Sequence, residues 1–207
     1  MNRTKYSGLE HAGSQHQEKH GHLIEQVENL YAIKNTELKD FDFIHWLYNE
    51  AIKYQKRNDY VGWESIDKEY LKEEIKRGLN YKLILEDNIL CAWGVVFSDP
   101  LIWREKENGT SIYLHRVVVN PKFKGRKLFQ KVLQWAIQYC IQNNLTSIRI
   151  DTWTANPAII EFYKKYGFKL VEEYTTGDTK ELPVQHRNLE VTLLEYRIEQ
   201  PEENLID

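Results

Sequence analysis

Several features that would indicate particular functions are scarce or missing in this chain of 207 residues. Its 2 cysteines, Cys91 and Cys140, lie in apolar surroundings, so we expect two small buried side chains rather than a disulfide. No apolar run approaches the roughly 18 residues that span a bilayer, and the first residues contain no hydrophobic region typical of a signal peptide. We therefore expect a cytoplasmic protein without a membrane partner.

A strong net charge is also missing. The formal net charge of -3 and the isoelectric point near 6.2 argue against a nucleic-acid-binding surface spread over the protein, so no nucleic-acid partner is expected. Aromatic residues are plentiful by contrast, with 13 Tyr and 6 Trp. Rings with polar tips fill cores, and they also line pockets for small, partly polar ligands.

The composition predicts one domain, residues 23–200, between two tails. Residues 201–207 form the C-terminal tail. Residues 1–22 are polar and predict a flexible N-terminal tail. No cysteine or carboxylate stands at a site-like spacing from the histidines of this tail, so we expect no metal site there. These histidines are His11, His16, His20 and His22.

Hydrophobic periodicity predicts an α/β fold with a mixed (α+β) sheet. The early strands are joined by short turns, which favours antiparallel pairing, and a later strand–helix–strand unit favours a parallel pair. We expect a twisted sheet of about seven strands with helices on both faces. The predicted strands cover residues 27–34, 81–86, 89–97, 111–119, 147–153, 168–175 and 189–197, with a turn at Asp87-Asn88. A first predicted helix is capped by Asp40, and three others cover residues 67–77, 127–142 and 157–166. Residues 98–110 are predicted as a long connection between strands.

A basic turn follows the strand 111–119 and precedes a helix. Gly125 is the only glycine between Thr110 and Tyr166. Neither a Gly-x-x-x-x-Gly-Lys-Ser/Thr loop nor a Gly-x-Gly-x-x-Gly fingerprint is present. Unpaired amides at a helix N-terminus bind phosphate, so the turn predicts an anion site; a merely solvent-exposed basic turn is the alternative. The amides concerned belong to Lys124, Gly125, Arg126, Lys127, Leu128 and Phe129.

A second motif lies in residues 154–168. Asn156, as a side-chain cap, and Pro157 predict a helix start, apolar residues recur at helical spacing, and Gly167 predicts the end. With this motif, residues 111–174 resemble the core of the GCN5-related N-acetyltransferase (GNAT) superfamily. The signature Asn-x-x-Ala-x-x-Phe-Tyr-x-x-x-Gly-Phe matches residues 156–168, and Gln/Arg-x-x-Gly-x-Gly/Ala matches residues 122–127.

The phosphate signature is matched with two departures. Lys122 stands where glutamine or arginine is usual, and Lys127 stands where a small residue is usual. Lys127 is accommodated if it has ordinary helical backbone angles and its side chain points toward solvent or a ligand phosphate; the alternative is that it blocks close approach of the pyrophosphate. The departure bears on how tightly a cofactor binds rather than on the fold.

The resemblance implies an acyl-CoA N-acyltransferase fold, acetyl-CoA as co-substrate and no metal. The cofactor would lie in a cleft where strand 111–119 separates from strand 147–153. Its extended arm would pair with the backbone near Val117 and Val119 and would be hydrogen-bonded by Asn156. The pyrophosphate would rest on the amides of residues 124–129.

The resemblance also implies that the hydroxyl of Tyr163 protonates the departing thiolate, although Tyr163 also fits the apolar stripe of its helix. His115 is the only imidazole in the predicted core, and its ordinary pKa near ~6.5 suits a base. By strand alternation it would share a face with Tyr113, Val117 and Val119. Asp151 is a partner for His115 or an alternative base. A histidine in a strand is also often structural.

The leading hypothesis is an N-acetyltransferase that transfers an acetyl group to the primary amine of a small molecule by direct attack. Two alternatives stay open: a protein acetyltransferase acting on N-termini or lysines, and a non-catalytic acyl-CoA-binding or sensing module, which Lys127 favours. Many superfamily members form dimers, so the resemblance allows a homodimer. Acceptor specificity is expected from Trp46, Tyr48, Trp63, Trp103 and the loop 177–188 with His186 and Arg187.

Overall fold

The computed structural model describes residues 31–182 and 186–199. The predicted tails 1–22 and 201–207 lie outside these residues, as does the first part of the strand expected at 27–34. Within the described ranges, no helix has the length and apolarity that a membrane crossing requires.

The described residues form a single sheet with helices connecting its strands. Three short 3-10 turns occur at Leu38–Asp40, Arg104–Lys106 and Pro121–Phe123. The strands are β1 (Tyr31–Asn35), β2 (Asn80–Leu85), β3 (Asn88–Val96), β4 (Ser111–Val119), β5 (Ser147–Trp153), β6 (Lys169–Thr175) and β7 (Glu190–Arg197). The helices are α1 (Phe41–Arg57), α2 (Lys68–Lys76), α3 (Pro100–Trp103), α4 (Leu128–Gln142) and α5 (Pro157–Lys165).

The sheet has 7 strands in the order β1-β2-β3-β4-β5-β7-β6. The β4–β5 pair is parallel, and every other neighbouring pair is antiparallel. The helix α4 connects the two parallel strands, as a parallel pair requires. The predicted mixed sheet is therefore confirmed, and β4 and β5 stand near its centre.

Helices cover both faces of the sheet. On one face, α4 and α5 pack on the inward side chains of β3, β4 and β5, while on the other, α1 and α2 pack around Ala92 and Val118. Cys91 and Cys140 are buried free thiols, and burial raises the pKa of each to about 12. The prediction that they are small core residues is confirmed.

Three local expectations need correction. Leu85 pairs with Asn88, so the hairpin turn is Glu86-Asp87 rather than Asp87-Asn88, and Glu86 has the positive φ of 53° that such a tight turn needs. The connection 98–110 contains α3 and a 3-10 turn. Asp40 stands at the N-cap of α1 but makes no side-chain cap; its carboxylate accepts a hydrogen bond from Lys82 Nζ instead.

A β-bulge interrupts β4. Ala92 pairs with Val118 and Gly94 with His115, so Arg116 and Val117 together face Trp93 on β3. An extra residue of this kind reverses the alternation of side chains beyond it. Tyr113 consequently packs with Trp103, whereas Val117 and Val119 pack in the cluster of Leu114. The prediction that Tyr113, His115, Val117 and Val119 share one face is wrong for this reason.

Candidate active site

A cleft opens where the two parallel strands separate. β4 and β5 pair at Ser111–Ser147, Ile112–Ile148 and Tyr113–Arg149, and no pairing continues beyond Tyr113. The cleft that results has a volume of about 700 Å³ and is lined by residues 114–117 of β4 and 150–153 of β5. The separation predicted between these strands is thus present, and it leaves one edge of each strand facing the opening.

His115 lies in this cleft between two carboxylates. Its Nε2 is 3.5 Å from Asp99 Oδ2 and 3.9 Å from Asp151 Oδ1. Neither His115 Nε2 nor Asp99 Oδ2 has a hydrogen-bond partner among the described residues, although both atoms are buried. Burial acts to lower the pKa of His115, but the Asp99 carboxylate and the charge of Asp151 oppose it, and the net pKa is raised.

The same three side chains could also hold a cation. Their ligand atoms lie within 4.8 Å of one another, with a geometry that one nitrogen and two carboxylate oxygens could share around an ion. Instead of a cation, a proton on the His115 imidazole can offset the negative charges of Asp99 and Asp151. The raised pKa of His115 agrees with this protonation. The expectation of a metal-free site therefore stays a prediction, and protonation of His115 is the simpler balance of charge.

Tyr163 reaches the cleft from the helix α5. The residue is 8% exposed, and its ring packs against Phe129 and Phe168. Burial, followed by the charge of Asp151, raises its pKa well above the ordinary value of a phenol. The hydroxyl therefore stays protonated at neutral pH, as a proton donor must.

Asn156 also lines the cleft, at the N-terminus of α5. It occupies the N-cap position, but its side chain makes no capping hydrogen bond. The expectation that the side chain caps the helix is therefore wrong. Its amide group is one of the polar groups at the cleft wall.

The basic turn differs in backbone detail from what was predicted. Gly125 has a φ of +80°, and Lys127 is the N-cap of α4 with a left-handed φ of 52°. The helix thus begins at Leu128, and Lys127 does not have the helical angles expected of it. Among the turn and cap hydrogen bonds of the described residues, none is donated by an amide of residues 124–129.

The turn stands beside the cleft rather than in its wall. Of the predicted site residues, the structure brings His115, Asp151, Val117, Asn156 and Tyr163 together in the lining. Three ring contacts join residues 124–129 to the lining. The Phe129 ring lies 5.3 Å from that of Tyr163 and 5.4 Å from that of Phe162, and Lys124 Nζ lies 3.8 Å from the centre of the Tyr54 ring. The predicted residues outside the lining are Val119, Lys124, Gly125, Arg126, Lys127, Leu128 and Phe129.

The side of the cleft on which the sequence predicts an acceptor is aromatic and acidic. Trp63 and His186 line it as expected, whereas Tyr48 and Trp103 are fully buried elsewhere. The sequence did not predict Asp99, and it did not predict most of the aromatic lining. Of these aromatic residues only Tyr54 lies on α1, and the others come from separate segments, so no single local pattern signalled them. The aromatic residues missed are Tyr54, Tyr60, Tyr70, Trp153 and Phe162, and the carboxylates of this side are Asp67, Asp99 and Asp151.

These features define a class of protein. A seven-stranded mixed sheet whose parallel central pair separates along its length is the fold of acyl-CoA N-acyltransferases. A sequence model of the acetyltransferase (GNAT) family matches residues 41–168. The chain therefore belongs to the acetyltransferase (GNAT) family, which is a family of acyltransferase enzymes.

Curated relatives and solved structures agree with this assignment. The chain is 33% identical over 79 residues to the uncharacterized N-acetyltransferase YesJ of Bacillus subtilis, covering 38% of this chain and 44% of that one. It is 27% identical over 152 residues to the uncharacterized N-acetyltransferase MJ1207 of Methanocaldococcus jannaschii, covering 70% and 64%. The chain thus spans less than two thirds of the length of either relative.

Two solved structures show the same fold. A GNAT-family acetyltransferase from Listeria monocytogenes superimposes with a TM-score of 0.63 at 17% identity, covering 81% of this chain and 95% of that one. Spermidine N-acetyltransferase from Vibrio cholerae, solved in complex with CoA and spermine, superimposes with a TM-score of 0.56 at 16% identity, covering 82% and 96%.

Proposed function

We propose that this protein transfers an acetyl group from acetyl-CoA to the primary amine of a small molecule. The observation that carries the proposal is the meeting of Tyr163 and the Asp99–His115–Asp151 cluster in the cleft between β4 and β5. A buried proton donor and a base candidate line one opening beside a strand edge. The spermidine N-acetyltransferase with this fold binds CoA and spermine, which supports both partners.

The chain offers suitable groups for each part of acetyl-CoA. The edge of β4 beyond Tyr113 has no strand partner in β5, so an extended arm can add to it by main-chain hydrogen bonds near Val117 and Val119. Asn156 stands at the same wall. The amides of residues 124–129, with their neighbouring lysines and arginine, suit a pyrophosphate.

The proposed chemistry needs two proton transfers by this chain. Acetyl-CoA supplies the acyl group as a thioester. His115, or Asp151 in its place, would accept a proton from the ammonium of the acceptor, so that the amine nitrogen can attack the carbonyl carbon. As the new C–N bond forms and the C–S bond breaks, Tyr163 would donate its proton to the leaving sulfur. The nitrogen would then lose its second proton, which restores the Tyr163 hydroxyl through solvent and leaves a neutral amide and a thiol.

The lining favours a cationic acceptor. The carboxylates of Asp67, Asp99 and Asp151 attract an ammonium group, and the rings of Trp63 and Trp153, 6.1 Å apart, offer faces to cationic and apolar parts of the same molecule. We therefore expect small amines to be preferred over acidic acceptors.

Thermal unfolding in the presence of ligands tests the proposal first. Acetyl-CoA at ~100 times its dissociation constant adds about 2.7 kcal/mol, which should raise Tm by roughly 5–10 °C, while ATP serves as the control. An amine screen for free thiol release then follows. A shift by acetyl-CoA without turnover of any amine would favour the sensing module, and no shift would reject acetyl-CoA as the ligand.

Replacement of Gly125 by valine should weaken cofactor binding. A side chain at this position meets nothing within 4 Å, so the cost comes from the φ of +80°, which L-residues rarely adopt. We expect KM for acetyl-CoA to rise roughly tenfold. Gly109→Val is the matched control, because Gly109 also has a positive φ, of +69°, and open surroundings, but lies in a different turn. An equal KM in both variants would contradict a phosphate role for the turn.

A further inference from the structure

The bulge in β4 places Arg116 in a backbone conformation that arginine disfavours. Arg116 has a φ of 49°, in the left-handed region that residues with a Cβ rarely adopt. The bulge nevertheless shapes the edge of β4 that faces the cleft, because Val117 and the residues after it owe their orientation to it. Some contact outside the strand must therefore compensate for the strain at Arg116.

A buried ion pair makes this contact. The guanidinium of Arg116 bonds through Nη2 to Glu74 Oε1, and the Glu74 side chain, on α2, is only 3% exposed. Asn80 Nδ2 donates to the second carboxylate oxygen of Glu74 at 3.3 Å. The guanidinium also lies 5.3 Å from the centre of the Tyr70 ring. The side chain of Arg116 is thus directed to α2 and fixed there.

Because Gly94 has no side chain, the side chains of Glu74 and Arg116 can meet in the space beside it. A Cβ at this position would lie 2.6 Å from Glu74 Oε1 and 3.1 Å from Arg116 Nη2. Gly94 pairs with His115, next to the bulge, so the absence of a side chain is needed where the ion pair crosses β3. Three residues from α2, β3 and β4 therefore form one arrangement around the bulge.

We propose that Glu74 is a positioning residue, which holds Arg116 in its left-handed conformation and thereby presents the edge of β4 to the acyl-CoA arm. The effect of Glu74 on acyl-CoA binding rests on the proposed function, whereas its effect on the conformation of Arg116 does not. Glu74 touches no reacting group; it acts through Arg116 on the shape of the binding edge.

The substitution Glu74→Gln tests the role with its shape nearly conserved. We expect KM for acetyl-CoA to rise roughly tenfold, the size of the left-handed strain that is no longer offset. Amide hydrogen exchange should quicken in the peptide 111–119 more than in the other strands. Glu73→Gln is the matched control, since Glu73 is the preceding residue on α2, is 60% exposed and lies 3.9 Å from Lys76; it should behave as the wild type.

A second pair of variants separates positioning from simple loss of an ion pair. Glu74→Gln with Arg116→Gly removes the charge and lets the backbone adopt a positive φ freely, so most of the lost acetyl-CoA affinity should return. Glu74→Gln with Arg116→Gln also removes the unpaired charge but keeps the strain, so it should not recover. Equal behaviour of the two double variants would overturn the proposal.

Hydrogen exchange keeps this test separate from that of the proposed function. If the wild type fails to bind acetyl-CoA, the proposed function fails, and the exchange of the peptide 111–119 still decides the role of Glu74. Unchanged exchange in Glu74→Gln would overturn it. Should this variant not fold, Gly94→Ala disturbs the same ion pair from β3, and it should produce the same local increase in exchange; the lack of such an increase would equally reject the proposal.

Discussion

Replacement of Tyr163 by phenylalanine is expected to lower kcat by about 10²–10⁴-fold, the usual contribution of a general acid, with little change in Tm. The ring packs against Phe129 and Phe168, and phenylalanine keeps these contacts. The hydroxyl makes no hydrogen bond to a residue that the structure describes, so its removal breaks no partnership in the fold. Steady-state kinetics with acetyl-CoA and an amine, together with thermal unfolding, measure both effects.

Tyr166→Phe is the matched control for this experiment. Tyr166 stands at the C-cap of α5 and its ring also packs against Phe129, 4.9 Å between centres, but it does not line the cleft. Its loss of a hydroxyl should leave kcat within about twofold, since surface and rim substitutions away from the chemistry have small effects. A Tyr163→Phe variant with the turnover of the wild type would remove Tyr163 from the mechanism.

The sequence predicted best where local pattern and motif agree. The bounds of β4 and β5 were predicted correctly, because β-branched runs ended by turn residues mark both strands. The motif at 156–168 placed Tyr163 and Asn156 beside the same opening. Both features could be predicted because the residues that determine them are neighbours in the sequence.

The bulge could not be predicted in this way. The contact that we propose to stabilise it is the ion pair between Arg116 and Glu74, which are 42 positions apart in the chain. Arginine has no preference for a positive φ, so nothing local at Arg116 marks the reversal of alternation that follows. The face assignment of Val117 and Val119 was wrong because it extended a local rule across a tertiary contact.

Asp99 was missed for a related reason. It lies after the end of β3, at the N-cap position before the proline that begins α3, in a segment that the sequence predicts as a long connection. The pairing of β3 with β4 ends at Val96 and Tyr113, so Asp99 comes within 3.5 Å of His115 only because the chain turns back after β3. The Asp-Pro dipeptide marks a turn equally well without any function, so only this tertiary contact reveals the second carboxylate of the cluster.

Replacement of His115 by glutamine is expected to lower kcat/KM by about 10²–10⁴-fold and to remove the acidic limb of its pH profile. Only the neutral imidazole accepts a proton, and the pKa of His115 is raised, so activity in the wild type should increase with pH through that raised value. The contribution of His115 to the free energy of unfolding changes with pH in the opposite direction to the activity. Because folding favours the protonated imidazole, its contribution is complete below the unfolded pKa and is lost as pH rises through the folded pKa.

Two further variants locate the base within the cluster. Asp99→Asn removes a carboxylate that raises the pKa of His115, so the acidic limb should move to lower pH with the imidazole still in place. His45→Gln is the control, since His45 lies on α1 outside the lining and contacts Asn49 at 3.2 Å; it should leave the profile unchanged. If His115→Gln retains the acidic limb, the titrating base is a carboxylate, and Asp151 takes the role.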